Sequence, residues 1–143
     1  MVNEIFTLAQ YVESETAHRN NITEQFNPPT EVIKKLKLLH EIMVLPLIKE
    51  LGAYSLFITS GYRSPKTNEL VKGSKTSQHC KAEAVDISYF INGQKANLKL
   101  YETVKRLDLP YDQIIKEYGN NSNPAWIHIS MSERNRRQEL VIQ

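Results

Sequence analysis

Between Val32 and Leu51, apolar residues recur at helical spacing: Val32, Ile33, Leu36, Leu39, Ile42, Met43, Leu47 and Ile48. The pattern predicts a long helix. Thr30 is its expected N-cap, and Glu31 places negative charge in the first turn. Pro46 falls inside the pattern and should kink or split the helix, and Gly52 ends it. Upstream, Leu8, Tyr11, Val12 and Ala17 fit one or two helical turns on either side of Glu13, between Thr7 and Asn20. Asn20-Asn21 interrupts that segment, and Asn27-Pro28-Pro29 makes a rigid extended step.

The second half reads differently. Ser55 to Thr59 is strand-like, and Ser60-Gly61-Tyr62-Arg63-Ser64-Pro65 turns sharply out of it. Lys66 to Val71 reads as a short helix, Gly73 to Ser77 as a polar loop, and Ala84 to Ser88 as a strand. Leu98 to Leu107 reads as a helix stopped by Pro110. Gln113 to Tyr118 and Ala125 to Met131 alternate as strands, joined by the turn-rich Gly119 to Pro124. Glu139 to Ile142 adds a last strand. Helices first and strands clustered late predict an α+β fold, a small antiparallel sheet packed with the N-terminal helices.

The chain has 143 residues, which fits one domain spanning residues 1–143. A chain of that length buries roughly 68–70% of its unfolded surface, so it needs no disulfide. Its one cysteine, Cys80, could form none internally, which fits a reducing cytoplasm. A net charge of +2 is too small to argue for nucleic acid, and would aid approach to an anionic bacterial wall only weakly. Met1-Val2-Asn3-Glu4 lacks the basic start and apolar run of a secretory signal. No stretch approaches the ~18 apolar residues of a membrane span. A target outside the cytoplasm would therefore require something else to release or deliver the protein.

Two of the four histidines have metal-like company. His79 precedes Asp86 in a polar segment, and His128 alternates on a strand within Trp126-Ile127-His128-Ile129-Ser130. Two imidazoles and a carboxylate are a usual catalytic zinc set, with a fourth position left for water. Near +1 net charge, such a site acidifies water and polarises a carbonyl. Spacing alone leaves a structural or incidental role open.

The ordered motifs carry more. Ser60-Gly61-Tyr62-Arg63-Ser64-Pro65, Asn68, Gly73, Ser77-Gln78-His79, Ala84-Val85-Asp86-Ile87 and Trp126-Ile127-His128 follow one another. Together they resemble the zinc D-alanyl-D-alanine carboxypeptidase and dipeptidase family, most closely its small wall peptidases of phages and prophages. The family signature S-x-H-x-x-G-x-A-x-D, with a later aromatic-x-H, covers the centre of the chain. Ser14 to Ala17, Asn27-x-Pro29 and the Leu36–Leu51 helix match the usual lead-in. The resemblance implies a single Zn2+ held by His79, Asp86 and His128, with Arg63 pointing into the site. A guanidinium there suits a substrate carboxylate or a developing oxyanion. It further implies that Ser77 bonds the substrate or braces its loop, and that the substrate is a bacterial peptidoglycan peptide.

Two positions depart from the family pattern. Ala82 stands where the family has glycine, which would be strained if that position needs positive φ. Ala125 stands where several relatives carry a glutamate three residues before the last histidine. Glu117 is the nearest upstream carboxylate. If the last two long strands pair with Tyr118 opposite Ala125, Glu117 faces Trp126 and Ile115 faces His128. Glu117 then shares the His128 face and becomes the expected general base, whereas a one-residue slip would put it on the other face.

His40 reads as a packing or surface residue and His18 as a helix-end charge. Cys80 should point away from any metal, and Glu83 should serve its loop. Arg134, Arg136 and Arg137 read as a solvated basic face that could touch the wall polymer. The reading that emerges is a zinc peptidase, assumed monomeric, with neither nucleic-acid binding nor membrane insertion. A competing reading is a zinc-stabilised binding module on the same scaffold, as in hedgehog signalling domains. A structural phage protein with vestigial ligands is a third.

Overall fold

The computed structural model describes all residues 1–143. Short helices α1 (Leu8–Val12) and α2 (Glu15–Arg19) flank Glu13, and Ser14 caps α2 through a hydrogen bond from the Ala17 N–H. Helix α3 (Thr30–Leu39) follows the Pro28-Pro29 step. Thr30 is its first helical residue rather than its cap. Pro29 occupies the cap position and makes no side-chain cap bond, because its fixed φ already delivers the chain into the helix.

Near Pro46 the long helix divides into two α-segments without a break in the helical chain. A π-turn (His40–Val44) joins α3 to α4 (Leu45–Leu51), with the Leu45 N–H reaching back to the His40 carbonyl. A proline supplies no N–H to the turn before it, and a widened turn accommodates that loss. His40 is buried here, its Nδ1 2.7 Å from the Tyr11 hydroxyl and its Nε2 2.7 Å from the Glu4 carbonyl. It is a packing residue.

Strand β1 (Leu56–Ser60) leads through a turn to α5 (Pro65–Leu70), capped by Ser64. Then come β2 (Ala84–Ile91), the short β3 (Gln94–Lys95), α6 (Asn97–Arg106), β4 (Gln113–Asn120), β5 (Asn123–Ser130) and β6 (Gln138–Ile142). The main sheet order is β1-β2-β5-β4-β6, and β3 pairs with β2 beside it. The α+β class is as expected, but the sheet is mixed: β6 runs parallel to β4. Strand β5 ends at Ser130, beside the start of β4. The chain then steps over Asp112 and restarts at Gln138 on the far edge of β4, so β6 must run the same way as β4. Asp112 pins this crossing. It is fully buried and accepts hydrogen bonds from the Arg136 backbone N–H (2.8 Å), Nε (2.9 Å) and Nη2 (2.7 Å).

The two faces of the sheet follow the period of two. Val85, Ile87, Ile127, Ile129 and Ile114 turn inward and join Leu36, Leu39, Met43 and Leu47 in one core. Asp86, Ser88, His128, Trp126, Ile115 and Glu117 occupy the other face, which carries the site. No helix is long and apolar enough to cross a membrane.

Candidate active site

Two strands and one turn bring three ligand-type side chains together. Asp86 on β2 pairs directly with His128 on β5, so both project from the same face. His79 comes from the turn before β2. Its Nδ1 lies 2.7 Å from the Gly61 carbonyl and donates to it, which leaves Nε2 as the ring atom that faces Asp86. His79 Nε2 is 3.3 Å and His128 Nδ1 3.0 Å from the same Asp86 Oδ1. All three donor atoms lie within 4.8 Å of one another.

This geometry fits a metal. Ligand bonds of ~2.0–2.1 Å in a tetrahedron place neighbouring donors about 3.3 Å apart. The two imidazole–carboxylate spacings match, and two imidazoles with one carboxylate are an accepted donor set for zinc. Burial alone raises the Asp86 carboxyl. Hydrogen bonds and charge from His128 and His79 outweigh that and hold it below the usual carboxylate range. Asp86 is therefore ionised, as a ligand must be. Cys80 lies outside the cluster, on the turn that follows His79.

Gly61 is required where it stands. Its neighbour Tyr62 donates to the Tyr11 carbonyl at 2.7 Å, and a Cβ at Gly61 would overlap that same carbonyl group. The close approach sets the position of the oxygen that orients His79. Ala82, where the family has glycine, does adopt positive φ (57°) and is buried. The strain expected from the sequence is present, held in place by the turn that delivers His79.

Glu117 pairs with Trp126 and Ile115 with His128, which is the register expected from the sequence. The Trp126 indole N–H donates to Glu117 Oε2 at 2.6 Å. Burial pushes the Glu117 carboxyl up and the Asp86 charge adds to this. His128, the indole bond and His79 pull it down without cancelling the rise. A carboxylate raised toward neutrality and beside the cluster suits proton transfer.

Arg63 lies beside the first imidazole. Its backbone N–H donates to the His79 carbonyl at 3.2 Å, and its Nη2 to Ser77 Oγ at 3.2 Å. Its Nε is buried without a partner. Ser77 Oγ also accepts from the His79 N–H at 3.2 Å, so Ser77 braces both the turn and Arg63. His79, Asp86, His128, Glu117, Arg63 and Ser77 all line one cleft of about 830 Å³.

Sequence reasoning missed the supports. The Trp126 bond to Glu117 was legible only as a shared face in Trp-x-His. The Gly61 carbonyl carries no sequence signal, since any residue has one. Gln78, next to His79, donates to Asp112 at 2.9 Å and ties the metal-type turn to the β6 crossing. The basic stretch is exposed, as expected, but its arginines are also paired. Arg136 is committed to the buried Asp112, and Arg137 pairs with Asp108 and lies 4.4 Å over the Tyr111 ring. Arg134, the most exposed of the three, also reaches Asp112 at 3.8 Å from the cleft rim. Sequence proximity hid the fact that these arginines serve a crossing.

A family model for peptidase M15 matches residues 6–130, nearly the whole chain. This chain belongs to the peptidase M15 family. The match covers every element from the first helix through β5 and includes all six cleft residues named above, so the expectation of a D-alanyl-D-alanine carboxypeptidase-type family holds. Family membership brings peptidase chemistry in general and metal dependence with it, and the His-Asp-His cluster is where a metal could sit. Comparison with curated proteins finds no match to the chain.

Proposed function

We propose that this M15 chain is a single-domain zinc peptidase hydrolysing peptide bonds in bacterial peptidoglycan. His79, Asp86 and His128 hold the ion, Glu117 is the general base, and Arg63 binds charge on the substrate. The observation that carries this reading is the position of Glu117. It shares one sheet face with the donor cluster, its carboxyl is raised by burial, and it is held by Trp126. When bound, zinc would supply Lewis-acid polarisation and lower the pKa of water.

The chain's own residues do the rest. Glu117 accepts a proton from the attacking water and later hands it to the leaving amine. The Trp126 indole keeps the accepting oxygen aimed. Arg63, braced by Ser77, stabilises the oxyanion or grips a substrate carboxylate through paired hydrogen bonds. The Gly61 carbonyl holds the His79 ring in one tautomer and orientation.

The protein would meet its substrate after release from the cytoplasm or as part of a phage particle. A binding module on this scaffold is the second reading, motivated by Ala125 in place of the family glutamate. Glu117 answers that motive by supplying a carboxylate from the neighbouring strand.

The test is to incubate zinc-loaded protein with bacterial peptidoglycan and to analyse soluble fragments by mass spectrometry. Chelator-sensitive fragments bearing new amines are expected, and their masses name the bond. Intact wall with zinc present, together with retained muropeptide, would hand the case to the binding module.

A further inference from the structure

The open face of the sheet continues past the donor cluster. On β2 the residues alternating with the core are Asp86, Ser88 and Phe90, so Phe90 stands ~13 Å along the strand from Asp86. Phe57 on β1 pairs with Ser88. Its ring meets Phe90 edge-on with centroids 5.5 Å apart. These two rings and Trp126 floor a second groove of about 620 Å³. Trp126 lines both the groove and the metal-type cleft, so the groove adjoins the cleft at the residue that holds Glu117.

The chemistry of the two spaces differs. The cleft is rich in charge, with Arg63, Lys72, Lys81 and Arg134 around Asp86 and Glu117. In the groove Lys95 is the single charged residue, and the other polar side chains are hydroxyls and one amide: Ser55, Thr59, Ser88 and Asn92. Phe57 stays 38% exposed and Tyr54 81% exposed. Aromatic faces rimmed by neutral hydrogen-bonding groups suit a ligand that is apolar on its flat side and hydroxylated at its edge. A sugar ring has that character. A carboxylate-bearing peptide does not, and it matches the charged cleft instead.

We propose that the Phe57–Phe90–Trp126 floor is a sugar subsite. It binds the glycan to which the scissile peptide is attached, so the enzyme selects polymer-linked peptide over free peptide. The substrate identity rests on the peptidoglycan reading above. A reach of ~13 Å corresponds to about four extended residues, so the cut falls within roughly that distance of the sugar.

Two measurements test this. Trp126 is the only tryptophan, so its emission reports the junction directly. Titration of the zinc-loaded protein with a soluble β-1,4-linked N-acetylglucosamine tetrasaccharide should give a saturable change, with affinity falling about tenfold in Phe90→Ala. The same variant, and Phe57→Ser, should lower the kcat/KM preference for glycan-linked over free peptide about tenfold, mainly through KM. No saturable change, or equal affinity in wild type and variant, overturns the proposal. So does an equal loss on both substrates, which would make the floor a peptide subsite. Saturable, Phe90-dependent sugar binding by a protein that cleaves no wall peptide would uphold the subsite and remove the hydrolase reading. Circular dichroism of both variants guards against misfolding, and the milder Phe90→Tyr, which keeps the ring, should retain the binding.

Discussion

The inward and outward faces of the sheet are written into the same three strands, one residue apart. Inward, Val85, Ile87, Ile127 and Ile129 are interchangeable in kind: each contributes buried apolar surface, and what matters is volume. Outward, Asp86, His128, Glu117 and Trp126 are not interchangeable, because each supplies a particular atom at a particular distance. Damage to the inward face should therefore lower stability while the surviving folded molecules keep their chemistry. Damage to the outward face should remove chemistry and leave stability nearly untouched.

The largest expected effect breaks the outward face alone. Glu117→Gln keeps the shape and the indole contact but removes the base. Turnover should fall about 10²–10⁴-fold, with one zinc per chain retained by elemental analysis and the thermal midpoint little changed. Full activity in that variant would end the proposed role. Inward, Ile127→Ala should lower the unfolding free energy by about 2–5 kcal/mol in denaturant titration, while kcat per folded molecule stays within about twofold.

Asp112 tests where the comparison blurs, because it is a buried polar group that supports the site from below. Asp112→Ala should cost about 3 kcal/mol, since a buried hydrogen-bonding partner of Arg136 and Gln78 is lost. Arg136 first, and then other hydrogen bonds, hold the Asp112 carboxyl below the usual range against the opposing effect of burial. Its stabilisation is thus fully present above the ordinary carboxylate value and is lost as pH falls through the depressed folded value. Thermal midpoints should drop in acid for the wild type and depend less on pH in the variant.

A smaller effect sharpens the outward side. Glu117 must be ionised to act, and its carboxyl is raised, so kcat/KM should fall on the acid side at a pH above the ordinary glutamate value. Trp126→Phe removes a hydrogen bond that favours the charged form. Its acid limb should move to still higher pH, with the loss of activity largest on the acid side. An unmoved pH profile would mean that the indole does not tune the base.

The smallest effect concerns the turn between the faces. A buried Ala→Gly change ordinarily destabilises, as Ala84→Gly within β2 should by about 1 kcal/mol. At Ala82, relief of left-handed strain of roughly 1–2 kcal/mol offsets the lost methyl and the added chain entropy. Ala82→Gly should therefore leave stability within about 0.5 kcal/mol of wild type, and paired denaturant titrations of the two variants would tell them apart.

Much of this was legible in the chain itself. Strand alternation around Asp86 and His128 needs only local sterics and burial, so the sequence by itself determined which residues share a face. The register that sets Glu117 beside Trp126 follows from the turn between two alternating strands, again a local matter. The ordered motifs were enough to point to the M15 family. Other features belong to the tertiary structure, because they depend on atoms brought together from distant positions. The parallel placement of β6 was decided by Asp112 capturing Arg136 across 24 residues. The orientation of His79 was decided by a backbone carbonyl 18 residues away. The π-turn at His40 answers a proline and a buried tyrosine together. Periodicity reports the environment of one element at a time. A hydrogen bond between remote segments leaves no period in the sequence, so only the folded chain reveals which buried polar group meets which partner.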